Sequence, residues 1–233
     1  MRVLRVMAEG VVTSFRYPFF VQGVQPTLPM PPLATIYGHI CSALGEPFDA
    51  RTVRVGYTFT FSAEFDDLEH LHFDDDGKDV VNPFVRRLLF EPRLTLYVDC
   101  ADLDAFFWAF RRPVYPVVLG RSQDLMTYTD IRIVDLIEVD AAYFEGTILP
   151  PEVAAAVEGN TVTYTMARFI DERRQPQWAR YAVLIGRGRF PADGYLPVGV
   201  PERVLADADF RDYPGHPELP RGVWLHSFVE EEG

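Results

Sequence analysis

The sequence predicts an α+β chain whose elements run β-α-β-β-α-β, with a long acidic insertion between the second and third strands and a β-rich extension after about residue 140. Three observations predict it. Apolar residues recur at helical spacing in two stretches, they alternate at strand spacing between those stretches, and Pro or Gly marks the boundaries.

The elements follow in order. Residues 2–13 mix Val and Leu with polar residues, as a strand does. Residues 14–32 form a proline-rich loop, with Pro26, Pro29, Pro31 and Pro32 inside seven residues. Leu33, Ile36, Tyr37, Ile40 and Leu44 then share one helical face, so the spacing predicts a helix over 33–44. Pro32 suits its first turn and Gly45 its stop. Residues 51–62 alternate as a strand. The acidic stretch 63–82 reads as a hairpin with "DDDGKD" at its tip. A strand is expected at 92–98, and a helix from Asp99 to Arg112 with Leu103, Phe106, Phe107 and Phe110 on one face. Asp102 is placed to cap it or to sit in its first turn. Residues 114–120 and 131–139 are strand-like. This succession has the ferredoxin-like, or RNA-recognition-motif, topology, a split pair of βαβ units. The domain reading is 1–140 with a thumb-like insertion at about 63–90, then a C-terminal β-rich extension over 141–233. In the extension a short helix, "PPEVAAAVEG", precedes two strands at 161–170 and 178–189 joined by the polar turn "DERRQPQ".

The net charge of −12 is unevenly spread. Residues 63–79 hold eight acids and one lysine, and Glu230 to Glu232 add three more, leaving 21 arginines against 23 acids elsewhere. Overall acidity argues against a nucleic-acid partner, but acidity confined to one hairpin and the tail does not. Lys78 is the only lysine. Arginine's planar fork suits phosphates and base faces; a coding bias toward arginine accounts for the same count. The N-terminus is charged and strand-like, unlike a signal peptide. No apolar run approaches a membrane span. Cys41 and Cys100 sit in apolar sequence, as in a reduced, cytoplasmic protein.

Four stretches offer chemistry. In the first, proline fixes φ and removes donors, so residues 26–32 aim the chain rather than extend the helix. The helix behind them presents N–H groups at Leu33, Ala34 and Thr35 and the positive dipole end, which favours a phosphate. Arg16 and Tyr17 precede the arm as a cation and a stacking ring. Gly38 inside the helix costs about 1 kcal/mol relative to Ala, which a close approach of backbone or ligand would justify. A plain Pro-rich loop on a tightly packed helix is the bland reading. In the second, "RRPVYPVVLGRSQDL", Gly120, Arg121 and Ser122 suit a phosphate or a base edge. Asp124 is near enough to tie Arg121 down instead, and Arg111 and Arg112 equally suit the helix C-terminus. The third holds Arg86 and Arg87 beside apolar residues. The fourth, "IGRGRF", more often marks a bulge than a site.

Catalytic patterns are poor. His70 and His72 lack partners at metal-ligand spacing, and His39 beside Tyr37 could serve as a general base, though a histidine on the helix surface is the bland and favoured reading. No Walker loop, G-x-G-x-x-G, H-E-x-x-H or G-x-S-x-G occurs, so no cofactor is expected.

Together, Ser14-Phe15-Arg16 with Pro18, Thr27 to Gly38 ("TLPMPPLATIYG") and Pro113 to Ser122 ("PVYPVVLGRS") resemble the paired signatures of the Cas-five family. These are CRISPR-associated RAMP proteins of type I Cascade complexes, and the wording is most similar to type I-B. The resemblance covers most of residues 1–140. It implies a non-catalytic subunit with an RNA-recognition-motif-like fold and a thumb. Such a subunit grips the 5′ repeat-derived handle of CRISPR RNA and docks the large and backbone subunits, while target DNA is read by guide pairing. It implies RNA contacts from Arg16, Tyr17, Pro32, Thr35, Tyr37, Gly38 and His39, from Arg86 and Arg87 on the thumb's return limb, and from Arg111, Arg112, Gly120, Arg121, Ser122 and Gln123. The thumb's acidic tip is then expected to face a protein. Two rivals stand beside it. One is a metal-independent endoribonuclease acting on precursor RNA, for which the lone lysine in an acidic run is ill placed. The other is a protein scaffold with little RNA contact.

Overall fold

The chain begins with β1 (Arg2–Gly10), the two-residue strands β2 (Val12–Thr13) and β3 (Val24–Gln25), helix α1 (Leu33–Leu44) and β4 (Arg54–Thr60). A hairpin of β5 (Ala63–Asp75) and β6 (Lys78–Phe90) leads to β7 (Arg93–Asp99), α2 (Leu103–Arg111) and β8 (Met126–Asp135). Then come β9 (Ile137–Val139), β10 (Ala142–Leu149), the single turn α3 (Pro151–Ala154), β11 (Thr161–Ile170) and β12 (Pro176–Phe190). The short strands β13 (Val204–Asp207), β14 (Arg221–Val223) and β15 (His226–Ser227) complete it. This computed structural model describes residues 1–18, 23–75, 78–194 and 196–229. The expected hairpin tip at Asp76 and Gly77, the acidic tail from Glu230, and part of the opening loop (Phe19 to Gln22) lie outside the described residues.

The fold is mixed α+β, mostly strand with few helices. The first sheet runs β15-β4-β7-β1-β8. Its pairings are antiparallel throughout, with Val55 opposite Val98, Leu4 opposite Val98 on the other side, and Leu4 opposite Ile133. Leu33, Ile36 and Ile40 of α1 and Phe106 and Phe110 of α2 are buried with Leu4 and Val6 of β1 in one core. Both helices carry the punctuation read from sequence. Gly45 stops α1 in the left-handed region at φ 86°, and Asp102 caps α2 by accepting from the Ala105 N–H at 2.9 Å.

A second sheet, β11-β12-β10-β14-β13-β9, closes the other side. The two halves share a buried polar knot. Arg5 of β1 pairs with Asp207 of β13 at 2.7 Å, Asp207 accepts from the Tyr97 hydroxyl at 2.9 Å, and Arg221 of β14 donates to that hydroxyl at 2.9 Å. The C-terminal end also returns to the first sheet, where His226 pairs with Val55. Met166, Tyr181 and Val183 of the C-terminal hairpin are buried in the same core as α1. Among the described residues no helix is long and apolar enough to cross a membrane.

Two expectations need correction. Residues 114–120 are not a strand. Pro113 and Pro116 supply no backbone donors, and the Val114 and Tyr115 N–H groups go to the Ala43 and Ser42 carbonyls at 3.1 and 3.2 Å. The segment is thus strapped along α1, and the fourth strand of the first sheet starts only at Met126. Helix α2 starts at Leu103 rather than Asp99, because β7 continues through Asp99 and Asp102 takes the cap.

Candidate nucleic-acid interface

The described parts of the opening loop are tied down by hydrogen bonds. The Phe15 N–H donates to Thr27 Oγ1 at 2.8 Å, the Leu28 N–H to the Phe15 carbonyl at 2.8 Å, and the Tyr57 hydroxyl to the Pro31 carbonyl. Leu28 and Met30 are buried. The arm therefore sets where α1 begins. Its first turn offers less than the sequence suggested: the Thr35 N–H is already bonded to the Pro32 carbonyl at 2.9 Å and Leu33 is fully buried, leaving half-buried Ala34 as the first-turn donor at the cleft.

The second motif arrives at the same place from about a hundred residues downstream. Gly120 has φ 97° and lies against Thr13 and Ser14. Arg121 follows it and is held by Asp124, which is 0% exposed. Arg121 NH2 meets Asp124 Oδ1 at 2.7 Å and Nε at 3.0 Å, the Arg121 N–H donates to Asp124 Oδ2 at 3.0 Å, and the Ser14 N–H donates to the same oxygen at 3.2 Å. Arg121 NH1 is also paired with Glu69 of β5. Burial lowers the guanidinium's pKa, but these carboxylates outweigh it and the net shift is upward, so Arg121 stays charged. The tie to Asp124 is thus what the structure contains, with Arg121 acting first as a clamp.

Ser14, Arg16, Pro32, Thr35, Gly120 and Arg121 line one cleft of roughly 470 Å³. Its opposite wall is Ala167, Arg174 and Trp178 of the C-terminal hairpin. Ala167 and Trp178 are cross-strand partners. Trp178 is 42% exposed. Arg174 sits in the turn at φ 63°, its N–H bonded to the Asp171 carbonyl at 2.9 Å. A left-handed non-glycine residue costs about 1–3 kcal/mol and is retained where the surroundings require it. Arg16 and Arg174 are exposed and have no carboxylate partner among the described residues. Among the described residues, three arginines and no carboxylate line the cleft. This hairpin wall was missed from sequence. The signal was present in "DERRQPQW", where cations lie within reach of an aromatic ring.

Other predicted residues lie elsewhere. Tyr17 packs against the main core at the cleft's margin, its N–H bonded to the Pro26 carbonyl at 3.3 Å. Tyr37 points into an aromatic cluster with Phe48, Phe169 and Phe228 and donates to the Phe48 carbonyl at 2.9 Å. Burial pushes its hydroxyl up to about 12. His39 is buried, with Nδ1 at 2.8 Å from the Val118 carbonyl and Nε2 at 3.1 Å from the Tyr128 hydroxyl. Burial lowers its pKa, so it is a neutral core residue, neither a surface base nor an RNA contact. Arg86 is bonded to Glu69 at 2.8 Å and lies over the Phe84 ring, and Arg87 pairs with Asp66 at 2.5 Å. The hairpin's own acids thus neutralise the arginines of its return limb. Arg111, Arg112, Ser122 and Gln123 are exposed.

Gly38 is exposed, and a Cβ there would meet no atom within 4 Å. The close approach expected at this glycine is not made by the chain itself. Gly38→Ala is therefore expected to stabilise the isolated chain by about 0.5–1 kcal/mol. A urea midpoint that rises at constant m checks this; a fall would mean that α1 is not relaxed at this position.

No protein-family model matches the chain, and no curated relative is found by sequence. Solved structures do match. A chain from a CRISPR RNA-guided surveillance complex superposes with a TM-score of 0.57 at 13% identity, over 84% of this chain and 94% of that one. A chain of the type III-B Cmr-beta bound to cognate target RNA gives 0.49 at 12%, over 83% and 87%. A CRISPR protein from Archaeoglobus fulgidus gives 0.47 at 12%, over 83% and 94%. At these identities only the fold carries over, and it rests on the first match: the chain is folded like a chain of a CRISPR RNA-guided surveillance complex.

Proposed function

We propose that this protein is a non-catalytic subunit of a CRISPR effector complex that holds the 5′ repeat-derived handle of CRISPR RNA in the cleft. The observation that carries the reading is convergence. The two stretches that resemble the Cas-five signatures are far apart in sequence, yet they meet in one cleft whose described lining holds no carboxylate and two arginines without an acid partner among the described residues. Single-stranded RNA is held by this combination of arginine, exposed aromatic ring and backbone donors. The order β4-β7-β1-β8, with α1 and α2 covering one face, supports a ferredoxin-like or RNA-recognition-motif core. The β5–β6 hairpin is then the thumb, its acids directed to protein neighbours. The complex would be of type I, most like I-B, and cytoplasmic. The backbone and large subunits would be direct partners, and target DNA an indirect one.

The rivals lose ground on specific residues. An endoribonuclease would need a base at the cleft, and His39 is buried with both ring nitrogens engaged. A scaffold without RNA is favoured by the net charge, but the described acids of the hairpin lie outside the cleft lining.

Arg16→Ala/Arg174→Ala tests the reading. Co-expressed with a CRISPR array and the neighbouring genes, the wild-type chain is expected to purify in a large complex with a uniform 5′ handle, and the double variant without it. With purified components, the slope of log affinity against log salt should shrink by about 0.7 for each phosphate contact removed. A wild-type chain that emerges RNA-free, or a double variant with an unchanged slope, would sink the proposal.

A further inference from the structure

We infer that the RNA strand leaves the cleft along the outer side of α1 and ends on an aromatic and arginine flank made by Trp108, Arg111, Arg112 and Tyr115. The inference rests on the reading of the cleft and extends it to a second contact surface. Its basis is the strap already described. Residues 114–118 follow α1 backwards, bonded in turn to Ala43, Ser42 and His39. The strap begins beside the C-terminal end of α2 and ends at Gly120 and Arg121, in the cleft wall. The chain thus runs from the flank to the cleft along α1, exposed at Val114 to Pro116, half-buried at Val117 and Val118, buried at Leu119 and exposed again at Gly120.

The flank has the composition of a strand-binding surface. Trp108 and Tyr115 are 57% and 56% exposed. Arg112 lies over the Trp108 ring at 5.6 Å and Arg111 over Phe107 at 5.9 Å. Neither arginine has a carboxylate partner among the described residues. The chain has 34 acids, yet none occurs from Ala105 to Gln123 or from Leu33 to Gly45; exposed Asp104, one turn before Trp108, and exposed Glu46, just past α1, mark the edges of this stretch. Such a zone in an acidic protein selects a polyanion, and exposed rings beside arginines select one with bases. A single strand satisfies both terms, whereas an acidic protein would leave the two ring faces without stacking partners. Helix α1 spans about 18 Å, which about five nucleotides cover at the rise of a stacked strand. Gly38, exposed midway along it with open space beyond, keeps this route clear of side chains.

The test uses the full chain and labelled oligoadenylates of about three to about ten nucleotides, read by anisotropy. Wild-type affinity should rise about ten-fold or more once the oligomer outgrows the cleft, since each stacked base contributes on that order. Trp108→Ala/Arg112→Ala/Tyr115→Ala should remove this rise while leaving the shortest oligomers unaffected; these side chains lie on the surface, so the fold should persist. Trp108→Phe should restore part of it. Arg16→Ala/Arg174→Ala should instead weaken binding at every length. If the triple variant keeps the full length dependence, the flank does not bind RNA and the inference falls while the cleft reading stands. If only the cleft variant is silent, the cleft reading fails while the flank stands. No binding at any length overturns both.

Discussion

Asp124→Ala should lower the unfolding free energy by about 3–5 kcal/mol, the range for removing one partner of a buried ion pair. The carboxylate is 0% exposed and serves three groups at once: the Ser14 N–H, the Arg121 N–H and the Arg121 guanidinium. Truncation leaves two donors without an acceptor and a guanidinium whose side chain is 16% exposed. Glu69 remains, but it also bonds Arg86. A chain with a total stability of about 5–15 kcal/mol has little room for such a loss. Asp124→Asn keeps an acceptor for Ser14 and removes the charge, so its stability should fall between wild type and the alanine variant. Urea unfolding at constant m reads both. A loss below about 1 kcal/mol for Asp124→Ala would mean that Glu69 alone holds Arg121 and that the clamp is misassigned. The same bonding explains why Arg16 and Arg174, rather than Arg121, are the cations to remove when RNA affinity is measured.

The legibility of this chain varied with the range of the interactions involved. Helix α1 was readable to the residue, because its apolar period, Pro32 and Gly45 are all local and agree. The acidic hairpin was readable for the same reason. The strap at 114–120 was misread because its alternating Val and Tyr residues imitate a strand, while the deciding partners are carbonyls of α1 some seventy residues earlier. His39 and Tyr37 carry chemistry-bearing side chains on a helix whose outer face was only partly inferable. Tyr37 is half-buried against the core on the apolar face its period indicates, whereas His39 is buried and no periodicity argument separated it from Thr35 and Gly38. The cleft was half legible. Its first wall is written in two motifs, and its second is the C-terminal hairpin, whose packing against α1 depends on contacts such as Tyr37 with Phe169. The knot of Arg5, Tyr97, Asp207 and Arg221 left no trace at all, since four ordinary polar residues become informative only when the fold buries them together.

Gly120→Ala should cost about 2–4 kcal/mol, the sum expected of a left-handed non-glycine backbone and a steric clash. At φ 97° a side chain is strained whatever space surrounds it, and here there is none. The added Cβ would lie 2.6 Å from Thr13 Oγ1, 2.7 Å from the Ser14 carbonyl oxygen and 3.2 Å from Asp124 Oδ2. Thr13 cannot swing aside cheaply, because its hydroxyl donates to the Leu119 carbonyl. Relief must come from moving the backbone, and the backbone in question is the cleft wall that carries Ser14, Arg16 and Arg121. The variant should therefore lose RNA affinity even at temperatures where it remains folded, as a Gly120 that only permits a turn would not require. Gly186→Ala is the matched control, an exposed glycine outside the cleft lining with an empty surround in place of a filled one. If Gly120→Ala binds oligoadenylate like wild type while its urea midpoint falls, the glycine serves folding alone and the position of this wall does not set the site.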